Sequence, residues 1–149
     1  MEYNLDDNLT LELNQLLYWG QVAVKIGDYW IGDLTHKEHI QKRLDRTIPT
    51  DMSNMTVLDI GASDGLFSYE SICRGAKNVV AVESDKHSYK NIGAIVDFFK
   101  YPIKLISQPT EEVTKEQLLA LNNGSKYSLG LMLNVLHVLE AVNLNIKKY

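Results

Sequence analysis

The stretch Val57-Leu58-Asp59-Ile60-Gly61-Ala62-Ser63-Asp64-Gly65-Leu66-Phe67-Ser68 constrains this chain more than any other. An apolar run ends in an acid. A glycine-punctuated turn follows, and then a helical pattern begins. The spacing predicts a strand that runs into a tight loop and a helix N-terminus, with small residues that let backbone N–H groups approach a ligand. Fourteen residues after Gly65, a second apolar run, Val79-Val80-Ala81-Val82, ends in Glu83. An ionised carboxylate at that place is a two-oxygen acceptor for both hydroxyls of a ribose. Together the two runs read as one nucleoside-binding half of an α/β domain.

Asp59-x-Gly61-x-x-x-Gly65 followed by Val79-Val80-Ala81-Val82-Glu83 resembles the cofactor site of class I methyltransferases that use S-adenosylmethionine (SAM). That family usually carries Asp/Glu-x-Gly-x-Gly-x-Gly, and Ser63 stands where its middle glycine would be. Leu131-Met132-Leu133-Asn134-Val135-Leu136-His137 is similar to the family's fourth-strand motif. The segments Gly27 to Asp33 and Arg43 to Pro49 resemble the lead-in of methyltransferases related to the wobble-uridine tRNA enzymes. The resemblance implies a Rossmann-like fold with parallel strand order 3-2-1-4 and a SAM cofactor. It also implies a cofactor-binding set of Asp59, Gly61, Ala62, Ser63, Asp64, Gly65, Phe67, Glu83, Ser84, Ser107, Gln108 and Asn134. His137, just after the fourth strand, is the candidate general base, since a histidine titrates near neutrality. The competing reading is a non-catalytic SAM-binding module or partner subunit.

Other nucleotide readings fit less well. The dinucleotide fingerprint wants Gly-x-Gly-x-x-Gly after the first strand. Aligned on Gly61, its third position is Ser63 and its sixth is Leu66. No Gly-Lys-Ser/Thr follows that strand, so a phosphate loop is not indicated either.

The rest of the chain alternates in the way an α/β sheet requires. Strands are predicted at Thr56 to Ile60, Asn78 to Val82, Ile103 to Ile106 and about Ser128 to Leu133. Helices are predicted between them, near 65–74, 86–100 and from Thr114, where Thr114-Lys115-Glu116-Gln117 matches a capping box. Residues 1–50 read as a helical lead-in, with helices at 8–19 and 35–46, the second capped by Thr35. Residues 51–149 read as the SAM-binding unit. Only nine residues follow Glu140, too few for the family's strands five to seven. The fourth strand is therefore expected to be an exposed apolar edge that drives self-association, with the tail from Ala141 involved.

With 149 residues and 45 % hydrophobic content the chain is expected to be one globular domain. A net charge of −4 does not favour unaided binding of nucleic acid, although Lys37, Lys42, Arg43 and Arg46 lie close together. A nucleic-acid substrate is thus left open without support from charge, and the run reads as a solvated helix face. The acidic N-terminus and the lack of a spanning apolar run point to a cytoplasmic protein without membrane association. His36, His39 and His87 show no ligand spacing with Cys or acids, so no metal is expected. The lone Cys73 shares helical spacing with Leu66 and Tyr69 and reads as a small core residue. Tyr29 and Trp30 are aromatic candidates for covering the sulfonium end of the cofactor.

Overall fold

The structure, a computed structural model, describes residues 23–133. Within them a hairpin of β1 (Val24–Ile26) and β2 (Tyr29–Ile31) leads into a short 3-10 turn and helix α1 (Lys37–Thr47). Strand β3 (Thr56–Ile60), helix α2 (Leu66–Cys73), strand β4 (Asn78–Val82), helix α3 (Lys86–Phe99) and strand β5 (Ile103–Ile106) follow. Helix α4 (Lys115–Leu121) and strand β6 (Leu129–Leu131) complete the described chain.

The four strands β3 to β6 form one sheet in the order β5-β4-β3-β6, and every pairing is parallel. This is the 3-2-1-4 order of a Rossmann-like class I methyltransferase sheet. Asp59 lies opposite Ala81 on one side and Leu131 on the other, and Val82 lies opposite Ile106. The carboxyl ends of the strands are therefore level. The chain reverses direction across the sheet between β3 and β6, which leaves a crevice at that end.

Period-two alternation divides the core between the two faces. Val57, Val79 and Ala81 join one cluster with Leu66, Phe67 and Tyr69 of α2 and Ile92, Ile95 and Phe99 of α3. Ile60, Val80, Val82 and Ile106 join a second, packed by Leu118 and Leu121 of α4. β4 is buried along almost its whole length, as a strand covered on both faces must be.

The lead-in differs from the all-helical expectation. Residues 24–31 form an antiparallel hairpin that packs on α2, with Gly27 (φ +61°) in its turn. Lys25 of the hairpin pairs with the buried Glu70 of α2 at 3.2 Å. Glu70 also pairs with Arg74 at 2.9 Å, and Arg74 reaches Asp45 of α1 at 2.7 Å and the Ile48 carbonyl at 3.0 Å. One buried carboxylate thus ties the hairpin, α1 and α2 together. α1 begins two residues later than expected. Asp33, not Thr35, caps the preceding turn, accepting from the Thr35 backbone N–H at 2.9 Å. Cys73 is exposed rather than in the core. It sits in the last turn of α2, where the helix leaves the sheet, with its sulfur 3.9 Å from the Tyr101 hydroxyl.

The expected helix at 8–19 and the tail from Ala141 lie outside the described residues, as do Asn134 and His137. Among the described residues no helix is long and apolar enough to cross a membrane.

Candidate functional site

The site is built where β3 ends. Gly61 (φ +73°), Ser63 (φ +52°) and Gly65 (φ +84°) all take left-handed backbone, and this folds the loop back on itself. The Gly61 and Ala62 N–H groups donate to the Val82 carbonyl at 2.9 and 3.1 Å. The Gly65 N–H donates to the Ala62 carbonyl at 2.9 Å. The Ser63 N–H donates to Glu83 Oε2 at 2.6 Å. Four of the loop's amides are thus consumed by the protein itself. The loop is not the open anion cradle that its small residues suggest, and a phosphate would find few donors there.

Ser63 shows why the related motif has glycine at this place: its backbone is left-handed, which costs a residue with a Cβ about 1–2 kcal/mol. Ser63→Gly is expected to stabilise the fold by about 1 kcal/mol in urea unfolding, the relief being offset in part by the entropy of glycine. A destabilised variant would show that the side chain itself anchors the loop.

Gly65 has a different reason to be glycine. A Cβ there would lie 2.5 Å from Cζ and 2.6 Å from Oη of Tyr69, whose ring is fully buried. Internal packing under the loop is by itself a constraint that requires glycine there. The Tyr69 hydroxyl has no hydrogen-bond partner among the described residues, and burial raises its pKa well above the usual tyrosine value.

Three acids surround the loop in different states. Asp59 is buried, and its Oδ2 accepts from Ser68 Oγ at 2.7 Å. Desolvation pushes its pKa up to about 6, against the Ser68 hydrogen bond; the nearby Glu83 charge adds to the rise. Asp64 is half-buried and raised by desolvation, and its Oδ1 accepts from Asn91 of α3 at 3.3 Å. Glu83, at the end of β4, is locked by two backbone amides, Ser63 on Oε2 and Asp85 on Oε1 at 2.7 Å. Each of its oxygens keeps a second lone pair for an outside donor. Its carboxylate is thus fixed in orientation as a two-point acceptor.

Beyond Glu83, Ser84 and Ser107 are exposed at the ends of β4 and β5. Gln108 is half-buried, and its Oε1 accepts from Gln117 Nε2 at 2.6 Å. The capping box at Thr114 is therefore only half formed. Thr114 accepts from the Gln117 N–H at 3.1 Å, while the Gln117 side chain turns away to Gln108.

A recess of about 110 Å3 opens on the β3 side of the loop, lined by Asp59, Gly61 to Asp64, Leu66, Phe67, Leu133, Val24 and Arg43. Val24, Arg43, Leu66 and Leu133 line it without belonging to the set that the resemblance implies. Arg43 occupies the i+3 position from the buried Ile40 and precedes the buried Leu44, so it lies at the border of the inward face of α1. That position is the signal in the sequence that marks it. Trp30 does not line this recess; its half-buried ring carries Lys37 Nζ at 5.5 Å from the centroid. Tyr29 lines a separate cavity at the far end of α2.

Residues 36–127, more than half of the chain, match the profile of the family described as conserved hypothetical protein 95. The chain belongs to this family. No protein of curated function matches it. Among solved structures, it is similar to an Escherichia coli protein, yhhF, provisionally described as a methyltransferase. That match has 13 % identity and a TM-score of 0.49, over 62 % of this chain and 55 % of that one. A second is the C-terminal domain of precorrin-6Y C5,15-methyltransferase from Rhodobacter capsulatus, at 16 % identity and a TM-score of 0.42, over 46 % and 39 %. A third is protein arginine methyltransferase 10 of Arabidopsis thaliana, at 22 % identity and a TM-score of 0.42, over 55 % and 26 %. The chain spans 26 to 55 % of the lengths of these three proteins. The fold is read from the sheet order itself. None of these matches supports the wobble-uridine tRNA branch.

Proposed function

We propose that this chain is a SAM-dependent methyltransferase of the class I type. The observation that supports this reading best is the charge plan of the loop. A buried carboxylate, Asp59, has a hydroxyl partner but no cation among the described residues, and a second carboxylate, Glu83, is held rigid with acceptor capacity to spare. SAM brings an ammonium and a sulfonium at one end and a ribose diol next to them. The acceptor set fits that molecule: Asp59 meets the ammonium, and Glu83 accepts from the two ribose hydroxyls. A dinucleotide would bring two negative phosphates to a loop whose amides are spent and whose neighbours are three acids.

Bound there, SAM supplies an electrophilic methyl group on a sulfonium leaving group. The chain's own contribution is placement, because fixing two reactants in line removes the entropy of their encounter. Gln108, held by Gln117, and the exposed ends of Ser84 and Ser107 border the side that would receive the adenine. The acceptor of the methyl group is not assigned.

The test is a titration with S-adenosylhomocysteine (SAH) of the wild type and of Glu83→Ala. The variant is expected to bind about 1–3 kcal/mol more weakly, which is the loss of charge-assisted hydrogen bonds to the diol. Equal affinity in the folded variant would remove Glu83 from the site.

A further inference from the structure

We propose that Arg43 is the specificity residue of this site, receiving the carboxylate of the cofactor's amino-acid end. The inference rests on the cofactor reading above and adds the group that would recognise the far end of the ligand. The Arg43 guanidinium stands over the buried Phe67 ring with Cζ 5.2 Å from the centroid. Phe67 belongs to the first turn of α2, so this stacking holds the cation at the mouth of the recess beside the loop.

The charges around that recess are complementary to a zwitterion. Asp59 and Asp64 line it as acids, and Arg43 is the cation that lines it with them. Among the described residues, none of the ion pairs involves Arg43 or either acid; those that form tie Lys25, Glu70, Arg74 and Asp45 together towards the C-terminal end of α2. Asp64 is turned to Asn91, and Asp59 to Ser68. A cation and two acids therefore share one small recess without neutralising each other. Glu83 does not line it, so the recess takes the part of the ligand that lies beyond the ribose. In SAM that part is an α-amino acid. Its ammonium goes to the acid side and its carboxylate to the guanidinium, whose planar fork matches a carboxylate with two parallel hydrogen bonds.

The test compares three ligands that share adenosine and thioether. SAH carries both amine and carboxylate, decarboxylated SAH keeps only the amine, and 5′-methylthioadenosine has neither. Wild type should prefer SAH over decarboxylated SAH by about tenfold or more, the size expected for a charge-assisted pair. Arg43→Ala should abolish that preference while its affinity for 5′-methylthioadenosine stays within about twofold of wild type. Arg43→Lys should restore only part of it, since an ammonium is a point charge without the fork. The wild-type comparison needs no variant, so it stands even where Arg43→Ala folds poorly. A wild type that binds SAH and decarboxylated SAH alike overturns the assignment of Arg43 while leaving the cofactor reading intact. So does an Arg43→Ala protein that keeps the preference. A wild type that binds none of the three overturns both.

Discussion

Gly65→Ala is expected to destabilise the fold by about 3 kcal/mol, although it adds a single methyl group. Two costs add. Gly65 has φ +84°, which disfavours any residue with a Cβ. The new methyl would also lie 2.5 Å from Tyr69 Cζ, inside van der Waals contact. Tyr69 is fully buried, with the Tyr101 ring 6.2 Å away between centroids, and interiors at crystal-like density yield little space. The Gly65 carbonyl accepts the Tyr69 N–H at 2.9 Å, so the two residues cannot separate without unwinding the first turn of α2. Urea unfolding measures the loss directly. In a Tyr69→Leu background the same change should cost only the backbone part, about 1 kcal/mol. A Gly65→Ala protein within about 0.5 kcal/mol of wild type would contradict the packing of Tyr69 beneath the loop.

Asp59→Asn is expected to move stability and binding in opposite directions. Desolvation raises the Asp59 pKa from 3.8 to about 6. The folded state therefore holds a proton that the unfolded state has released between those values. Stability contributed by this group is present below about pH 4, falls as pH rises towards 6, and stays lost above it. At pH 7.5 the buried charge costs about 3 kcal/mol by that linkage, an upper bound on the variant's gain because the Asn oxygen still accepts from Ser68 but the amide buries two new N–H donors. The variant should unfold at higher urea than wild type at pH 7.5, and the advantage should vanish near pH 4. Its affinity for SAH should drop, since the amide offers no charge to an ammonium. Wild-type affinity should also fall as pH drops through about 6, where Asp59 takes up its proton, and the variant should lose that part of the pH dependence. A variant that is less stable at pH 7.5, or that binds SAH as wild type does, would show that Asp59 has a structural partner rather than a ligand.

The loop and its two acids were legible because the apolar runs of β3 and β4 each lead into an acid next to a turn. In the parallel sheet Asp59 lies opposite Ala81, two residues before Glu83, so both acids come to the carboxyl edge. Sheet order followed from the resemblance. The hairpin at 24–31 was missed because each strand has three residues, too short for periodicity to speak. Its signal was Gly27-Asp28 between Val24-Lys25-Ile26 and Tyr29-Trp30-Ile31, a two-residue turn flanked by apolar strands. Arg43 was read with its neighbours as a solvated helix face. Composition could not separate it from Lys42 and Arg46, whereas its distance from Ile40 and Leu44 along the helix could. The role of Gly65 was also hidden, because a sequence cannot tell a glycine that faces a ligand from one that faces a tyrosine four residues on.

Calorimetric titration of the wild-type chain at pH 7.5 with SAH, and separately with NAD, tests the cofactor assignment most directly. Saturable binding of SAH at one site per chain, with no heat from NAD at the same concentrations, is the expected result. No binding of SAH by the folded chain, or tighter binding of NAD, would contradict it.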